Sequence, residues 1–220
     1  MDFAVWQLLL QLDRSLFTLI NGTLHTGVLD VFMPFITSIN NFRLGLIIGG
    51  IVFFLWGGRK EREILIFALI LLGISDFVSS HLLKSFFYRP RPCLALPTVR
   101  LLVSCTSSFS FPSSHVVNTT AQVVFFGFFY PRLRGALYSL AFLVAYSRIY
   151  VGVHYPLDAI GGMIVGILLS SALLGIYKLI KQRKRFWGEH KKRAPLSPPY
   201  AKPKLNAYLS PLRGRREGLQ

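Results

Sequence analysis

The sequence predicts an all-α integral membrane protein: a helical bundle of five or six transmembrane helices preceded by an amphipathic N-terminal helix. Three observations predict it. Five stretches are apolar and long enough to cross about 30 Å of hydrocarbon, which takes about 20 residues. Of the 220 residues only 15% are charged, while 52% are hydrophobic and 14% aromatic; a soluble domain carries about a quarter charged residues. The basic residues, finally, gather in alternate connections between the apolar stretches.

In residues 1–41, Trp6, Leu9, Leu10, Leu12, Leu16, Phe17 and Ile20 form a helical apolar stripe broken by Asp13-Arg14. A charge pair is costly at mid-bilayer, so this helix is expected to lie in the outer interface. If residues 3–20 cross instead, the spans number six and the N-terminus is inside. A cleavable signal peptide is not expected, because a basic leading region is missing and Asp13-Arg14 interrupts the apolar run. Pro34 precedes a short run into the first full span.

The core, residues 42–180, holds spans expected at 42–58, 63–87, 114–131, 134–153 and 156–180. The charged turn from Gly57 to Arg62, the Pro131–Gly135 turn and the segment beginning at Lys178 fall on one side, and positive-inside asymmetry makes that side the cytoplasm. The 88–113 connection and the turn near 152–156 share the opposite face. In a bacterial inner membrane that is the periplasm or cell exterior.

The net charge of +16 does not mark a nucleic-acid binder. Residues 181–220 hold 12 Lys/Arg against 2 Asp/Glu, a net of +10, and no stacking aromatics repeat among them. Such a tail is expected to anchor to anionic lipid on the cytoplasmic side. Its prolines, Pro195, Pro198, Pro199, Pro203 and Pro211, predict disorder over 186–220.

Three clusters on the outer face carry chemistry. The first runs from Lys84 through Arg89 and Arg91 to Pro92, the second from Phe111 through Pro112, Ser113 and Ser114 to His115, and the third from Ser147 and Arg148 to His154 and Asp158. Lys84, Arg91 and Arg148 are cations at the membrane boundary, where an unpaired charge is costly. Guanidinium forks match phosphate oxygens, and Lys adds a point charge. Ser113 and Ser114 offer hydroxyls and amides at a helix start, an anion site. No group of three or four His, Cys or carboxylate residues has metal-cage spacing, so neither a metal nor another cofactor is expected. These parts predict attack of His154 on phosphorus, with Asp158 holding its other ring nitrogen. His115 would protonate the leaving oxygen and then activate water, while the cations neutralise the equatorial oxygens.

The three clusters resemble the type 2 phosphatidic acid phosphatase family, which shares its helical core with vanadium haloperoxidases and glucose-6-phosphatase. The family pattern is Lys-x6-Arg-Pro, Pro-Ser-Gly-His and Ser-Arg-x5-His-x3-Asp. Lys84, Arg91 and Pro92 fit the first motif; Pro112, Ser113 and His115 the second; Ser147, Arg148, His154 and Asp158 the third. Ser114 stands where the family usually has Gly, and its backbone amide can still serve. The resemblance spans residues 42–180. It implies His154 as nucleophile, Asp158 as its orienting partner, His115 as acid/base, and Lys84, Arg91, Ser113, Ser114 and Arg148 as phosphate ligands, without a metal. It also implies a lipid phosphate substrate in the bilayer, such as undecaprenyl diphosphate, lipid A 1-phosphate or phosphatidylglycerol phosphate. Lipid-to-lipid phosphotransfer is the alternative within the family. A transporter is disfavoured because polar residues cluster on one face and no inverted repeat is evident.

Other residues carry plainer expectations. Asp76 and His81, within the second span, are expected to make structural polar contacts, and His25 and His190 to be interface or tail residues. Arg89 either contacts substrate or reaches for headgroups. Tyr150 and Tyr155 are expected as interfacial aromatics. Cys93 and Cys105 share an outer loop, so a disulfide is expected there, with two free thiols as the alternative. The apolar residues between them form either a flap in the outer leaflet or packing on the bundle.

Overall fold

A computed structural model describes residues 3–193 of the chain, and every described element is helical. Helix α1, Phe3–Thr18, ends in a π-helical turn, Leu19–Thr23, and α2, Gly27–Thr37, follows at a bend of 117°. Thr26 caps α2 by accepting from the Leu29 amide, which satisfies one of the otherwise free N–H groups at a helix start. Helices α3, Asn40–Trp56, and α4, Arg59–Phe77, flank the charged turn.

Beyond α4 a π-helical turn, Val78–Leu83, leads into the single turn α5, Lys84–Phe87. A second single turn, α6, covers Pro92–Ala95. Helices α7, Ser114–Phe129, and α8, Arg134–Tyr150, complete the bundle with α9, Pro156–Arg193. The five expected spans correspond to α3, α4 with its π-helical extension, α7, α8 and α9. Arg59–Ala95 and Pro156–Trp187 are long and apolar enough to cross a membrane by themselves, and the bent pair α1–α2 is so when taken together.

Burial follows helical spacing. On α4, Ile64, Ala68, Leu71 and Ser75 form one buried face, the i, i+3, i+4 pattern of an amphipathic helix. This face meets Ala121 and Phe125 of α7 and Leu173 and Leu174 of α9. A second cluster joins Phe17 of α1 to Val116, Ala145, Ile149, Tyr155 and Ala159, directly beneath the expected catalytic segment. Helix α3 buries none of its residues. Its exposed Leu44, Leu46, Ile47, Ile48 and Ile51 form an apolar surface far beyond the scattered residues of a water-facing helix, and suit hydrocarbon.

Tyr150 and Tyr155 are not interfacial aromatics. They are 0% and 4% exposed, and the Tyr150 hydroxyl donates to Asp30 at 2.6 Å. A buried phenol needs such a partner, and a membrane sequence does not distinguish a lipid-facing tyrosine from a core one.

In the 88–113 connection, Cys93 and Cys105 are bonded. Leu96, Val99, Leu102 and Val103 pack against the bundle, whereas Leu94 and Leu101 are exposed. Packing therefore accounts for most of the loop's apolar character. Asn21 fastens the loop through bonds to the Arg100 carbonyl (2.8 Å) and amide (2.9 Å) and to the Tyr150 carbonyl (2.7 Å). Gly152, at φ 89°, turns the chain where a side chain would strike the Arg100 carbonyl at 2.7 Å.

Residues up to Ile176 form one compact unit, and a second begins at Tyr177. The helix runs past the expected end at 180, to Arg193, because Lys, Arg and Gln are good helix formers. The remainder of the expected tail, 194–220, lies outside the described residues.

Two tests follow from this packing. Helix α9 approaches α7 at Gly162 and Gly166, a small-xxx-small pair that lets backbones meet closely. A Cβ at Gly166 would lie 2.7 Å from the Val117 carbonyl oxygen, so Gly166→Val is expected to lower the unfolding temperature in detergent and the folded yield, while Gly175→Ala, which meets nothing within 4 Å, leaves both unchanged. Reducing the disulfide is expected to remove stability on the order of 3 kcal/mol by the chain-entropy estimate for so short a loop, measured as a shift in denaturant midpoint between oxidised and reduced protein.

Candidate active site

The three sequence clusters converge. α5 and the segment after it supply Lys84 and Arg91, the start of α7 supplies Ser113, Ser114 and His115, and the end of α8 with the turn into α9 supplies Arg148, His154 and Asp158. Lys84 and Arg148 are each 9% exposed, Arg91 4%, His154 1% and Asp158 0%. His115, by contrast, stands exposed at the head of α7. It lies within electrostatic range of Arg148, Lys84 and Arg91, as His154 does of Arg148 and Arg91.

The two faces of the His154 ring meet different chemistry. Its Nε2 is 3.3 Å from the Arg91 guanidinium, while its Nδ1 is 3.5 Å from Asp158 and 3.4 Å from the Ser110 hydroxyl. A carboxylate on Nδ1 selects the tautomer protonated there and leaves the Nε2 lone pair directed at the cations. Asp158 is held in turn by the Tyr155 amide at 2.8 Å, by Arg89 at 2.7 Å and by a short bond from Ser110.

Burial, opposed by the neighbouring Asp158 carboxylate and reinforced by the nearby Arg148 charge, pushes the His154 pKa down to about 3. The ring is therefore neutral at pH 7, as a nucleophile requires.

Several donors wait without partners. The Ser113 hydroxyl and the Arg148 Nε are buried and make no hydrogen bond, a costly condition that a bound anion would relieve. One Arg148 nitrogen is fixed by the Thr37 hydroxyl at 2.6 Å. Arg91 is fixed by the Ser108 carbonyl and hydroxyl at 2.7 and 2.9 Å, so two of the cations are preset before any ligand arrives. The N–H groups in the first turn of α7, Ser114–Phe129, are further donors of the kind that binds anions. Ser114 turns its hydroxyl to Ser80 at 3.1 Å, leaving its backbone amide for that role.

Other expectations resolve variously. Asp76 makes the structural contact expected, accepting from Asn118 at 3.1 Å, whereas His81 lies against the Phe77 ring with centroids 5.5 Å apart. Arg89 has partners that the sequence did not suggest: its guanidinium joins Asp158 to Asp13 and covers the Tyr155 ring at 4.2 Å. Sequence reasoning also passed over Ser108, Ser110, Thr37 and Asp13. Only Asp13 gave a signal, as half of the Asp13-Arg14 charge pair that interrupts the apolar stripe. Among the described residues, no three His, Cys, Asp or Glu side chains converge as metal ligands.

The helical fold and this buried cationic site define a membrane phosphatase, and a family model agrees: residues 63–182 match the PAP2 superfamily. The chain belongs to that superfamily and is an enzyme of the lipid phosphate hydrolase kind. It is 31% identical over 160 residues to undecaprenyl-diphosphatase BcrC of Bacillus subtilis, covering 72% of this chain and 81% of that one. Among solved structures, Aquifex aeolicus LpxE aligns with a TM-score of 0.60 and 32% identity over 74% of this chain and 95% of its own. The PAP2-type phosphatidylglycerolphosphate phosphatase of Bacillus subtilis aligns with a TM-score of 0.65 and 28% identity over 81% of this chain and 89% of its own.

The depressed His154 pKa has a measurable consequence. Below about pH 6.5 the unfolded chain protonates this histidine and the folded chain does not until about pH 3. Proton uptake by the unfolded state means that stability falls as pH drops through this window. Wild type is expected to lose up to about 1.4 kcal/mol per pH unit more than His154→Asn between pH 6 and 4, read as the difference in slope of unfolding free energy against pH.

Proposed function

We propose that the chain removes the terminal phosphate of a lipid diphosphate, with undecaprenyl diphosphate as the leading substrate, through a phosphohistidine on His154. The observation that carries the proposal is the two-faced His154 ring, with Asp158 at Nδ1 and the Arg91 cation at Nε2. The choice of lipid rests on the similarity to BcrC.

In the first step the Nε2 lone pair attacks the terminal phosphorus, and its bond to the bridging oxygen breaks in line, so that the lipid monophosphate departs. His115 gives its proton to the departing oxygen, and Asp158 balances the positive charge that grows on the His154 ring. In the second step His115 takes a proton from water, the water oxygen attacks phosphorus, and the phosphorus–nitrogen bond breaks to free inorganic phosphate and regenerate His154. Lys84, Arg91, Arg148, Ser113 and the Ser114 amide hold the three equatorial oxygens throughout. Such preset charges act most strongly where water is excluded, and the burial of Arg91 and Arg148 supports that role.

The site is proposed to open to the outer leaflet, facing the periplasm or cell exterior. A lipid enters sideways, its phosphate reaching the cations while its chain stays in hydrocarbon.

Purified protein in detergent with chelator present is expected to release phosphate from undecaprenyl diphosphate faster than from phosphatidylglycerol phosphate or lipid A 1-phosphate at matched surface concentration. His154→Ala is expected to lower turnover by about 1,000-fold or more, as removal of a covalent nucleophile does, and His115→Ala by about 100-fold or more. Release that required added metal, or normal turnover by His154→Ala, would overturn the mechanism; a different order among the three lipids would overturn only the substrate.

A further inference from the structure

The motif residues end at Asp158, yet the hydrogen-bonded chain behind it does not. Asp158 presents one oxygen to Arg89 at 2.7 Å, and the same guanidinium makes a short ion pair with Asp13 on α1. The second oxygen of the Asp13 carboxylate accepts from the Leu157 amide at 2.7 Å, in the first turn of α9 and one residue before Asp158. Both carboxylate side chains are fully buried and Arg89 is 19% exposed. Tyr155, whose amide also bonds Asp158, has its ring under the guanidinium at 4.2 Å and packs at a tilt against Phe17, four residues after Asp13 on α1, with centroids 5.5 Å apart.

This arrangement is costly unless it serves something. A buried carboxylate on an otherwise apolar N-terminal helix needs a partner, and Asp13 has taken one that already serves Asp158. Arg89 alone would draw charge from Asp158 and weaken its support of the His154 ring. With Asp13 on the far side of the guanidinium, that pull is divided between two carboxylates while the geometry is retained. The Leu157–Asp13 bond adds a second hold on the backbone that carries Asp158.

We propose that Asp13 and Arg89 are positioning residues for catalysis, setting the orientation and charge of Asp158 and through it the nucleophilic ring nitrogen of His154. This rests on His154 being the nucleophile. The N-terminal helix is then part of the catalytic apparatus, although neither residue touches the phosphate.

The test compares steady-state kinetics of Asp13→Asn, Arg89→Ala, Arg89→Lys and His154→Ala in the same detergent, with unfolding temperature measured for each. Asp13→Asn keeps the shape and the Leu157 bond and removes the charge. It is expected to lower kcat about 10-fold with KM within about 3-fold of wild type, because the oxygen-binding cations are untouched. Arg89→Ala is expected to lower kcat further, and Arg89→Lys to recover part of the loss. Wild-type kcat in both Asp13→Asn and Arg89→Ala overturns the proposal, as does a loss that appears only in KM or follows only the fall in folded protein. Should Arg89→Ala fail to fold, Asp13→Asn and Arg89→Lys decide by the same kcat and KM criterion. An active His154→Ala overturns the nucleophile assignment itself, whereas an inactive His154→Ala beside fully active Asp13 and Arg89 variants overturns this inference alone.

Discussion

The rest of the site depends on a single buried contact, the Asp158 carboxylate against the His154 imidazole. Three cations, Lys84, Arg91 and Arg148, lie within electrostatic range of one another, and alone they would repel a proton or a developing positive charge on the ring. Asp158 offsets that at Nδ1 and leaves Nε2 facing Arg91. A charge buried this deeply is tolerable only if its lone pairs are filled, and Asp158 has Arg89, Ser110, the Tyr155 amide and His154 around it. The carboxylate is thus both a chemical partner and the point where α1, the 88–113 connection and α9 are tied.

The disulfide between Cys93 and Cys105 closes the 88–113 segment on itself, and the Asn21 bonds to Arg100 and the packing of Leu96 and Val99 hold that segment against the bundle. The same segment delivers Arg91, Ser108 and Ser110 to the site. The π-helical turn Val78–Leu83 precedes Lys84, which is buried at the head of α5; π-helical turns recur at functional sites because the extra residue redirects the chain. Around Ile64, Leu71 and Phe125 the packing is mainly apolar, with the Gln122 side chain donating to the Ala68 carbonyl at 2.9 Å.

What the sequence revealed followed what the chemistry restricts. That Lys84, Arg91, His115, Arg148, His154 and Asp158 lie near one another was legible because few residue types suit phosphoester chemistry, and their order and spacing matched alternate ends of apolar stretches. Asp13 and Ser110 were not legible as supports, because their partners lie 144 and 48 residues away along the chain and nothing local marks the pairing. Tyr150 was misread since an aromatic at a helix end fits either lipid or core, and only the Asp30 and Asn21 partners decide. The helical content of α9 beyond residue 180 was missed because charge and proline further on outweighed the helix propensity of its Lys- and Arg-rich turns.

The central claim, that His154 carries the phosphoryl group between lipid and water, is tested most directly by trapping it. Enzyme mixed with lipid labelled at the terminal phosphorus and quenched in alkali within one turnover is expected to carry label on the peptide containing His154, stable in base and lost in acid as a phosphoramidate bond is. Label absent from the protein while free phosphate accumulates at the normal rate, or label found on any residue other than His154, would contradict the account.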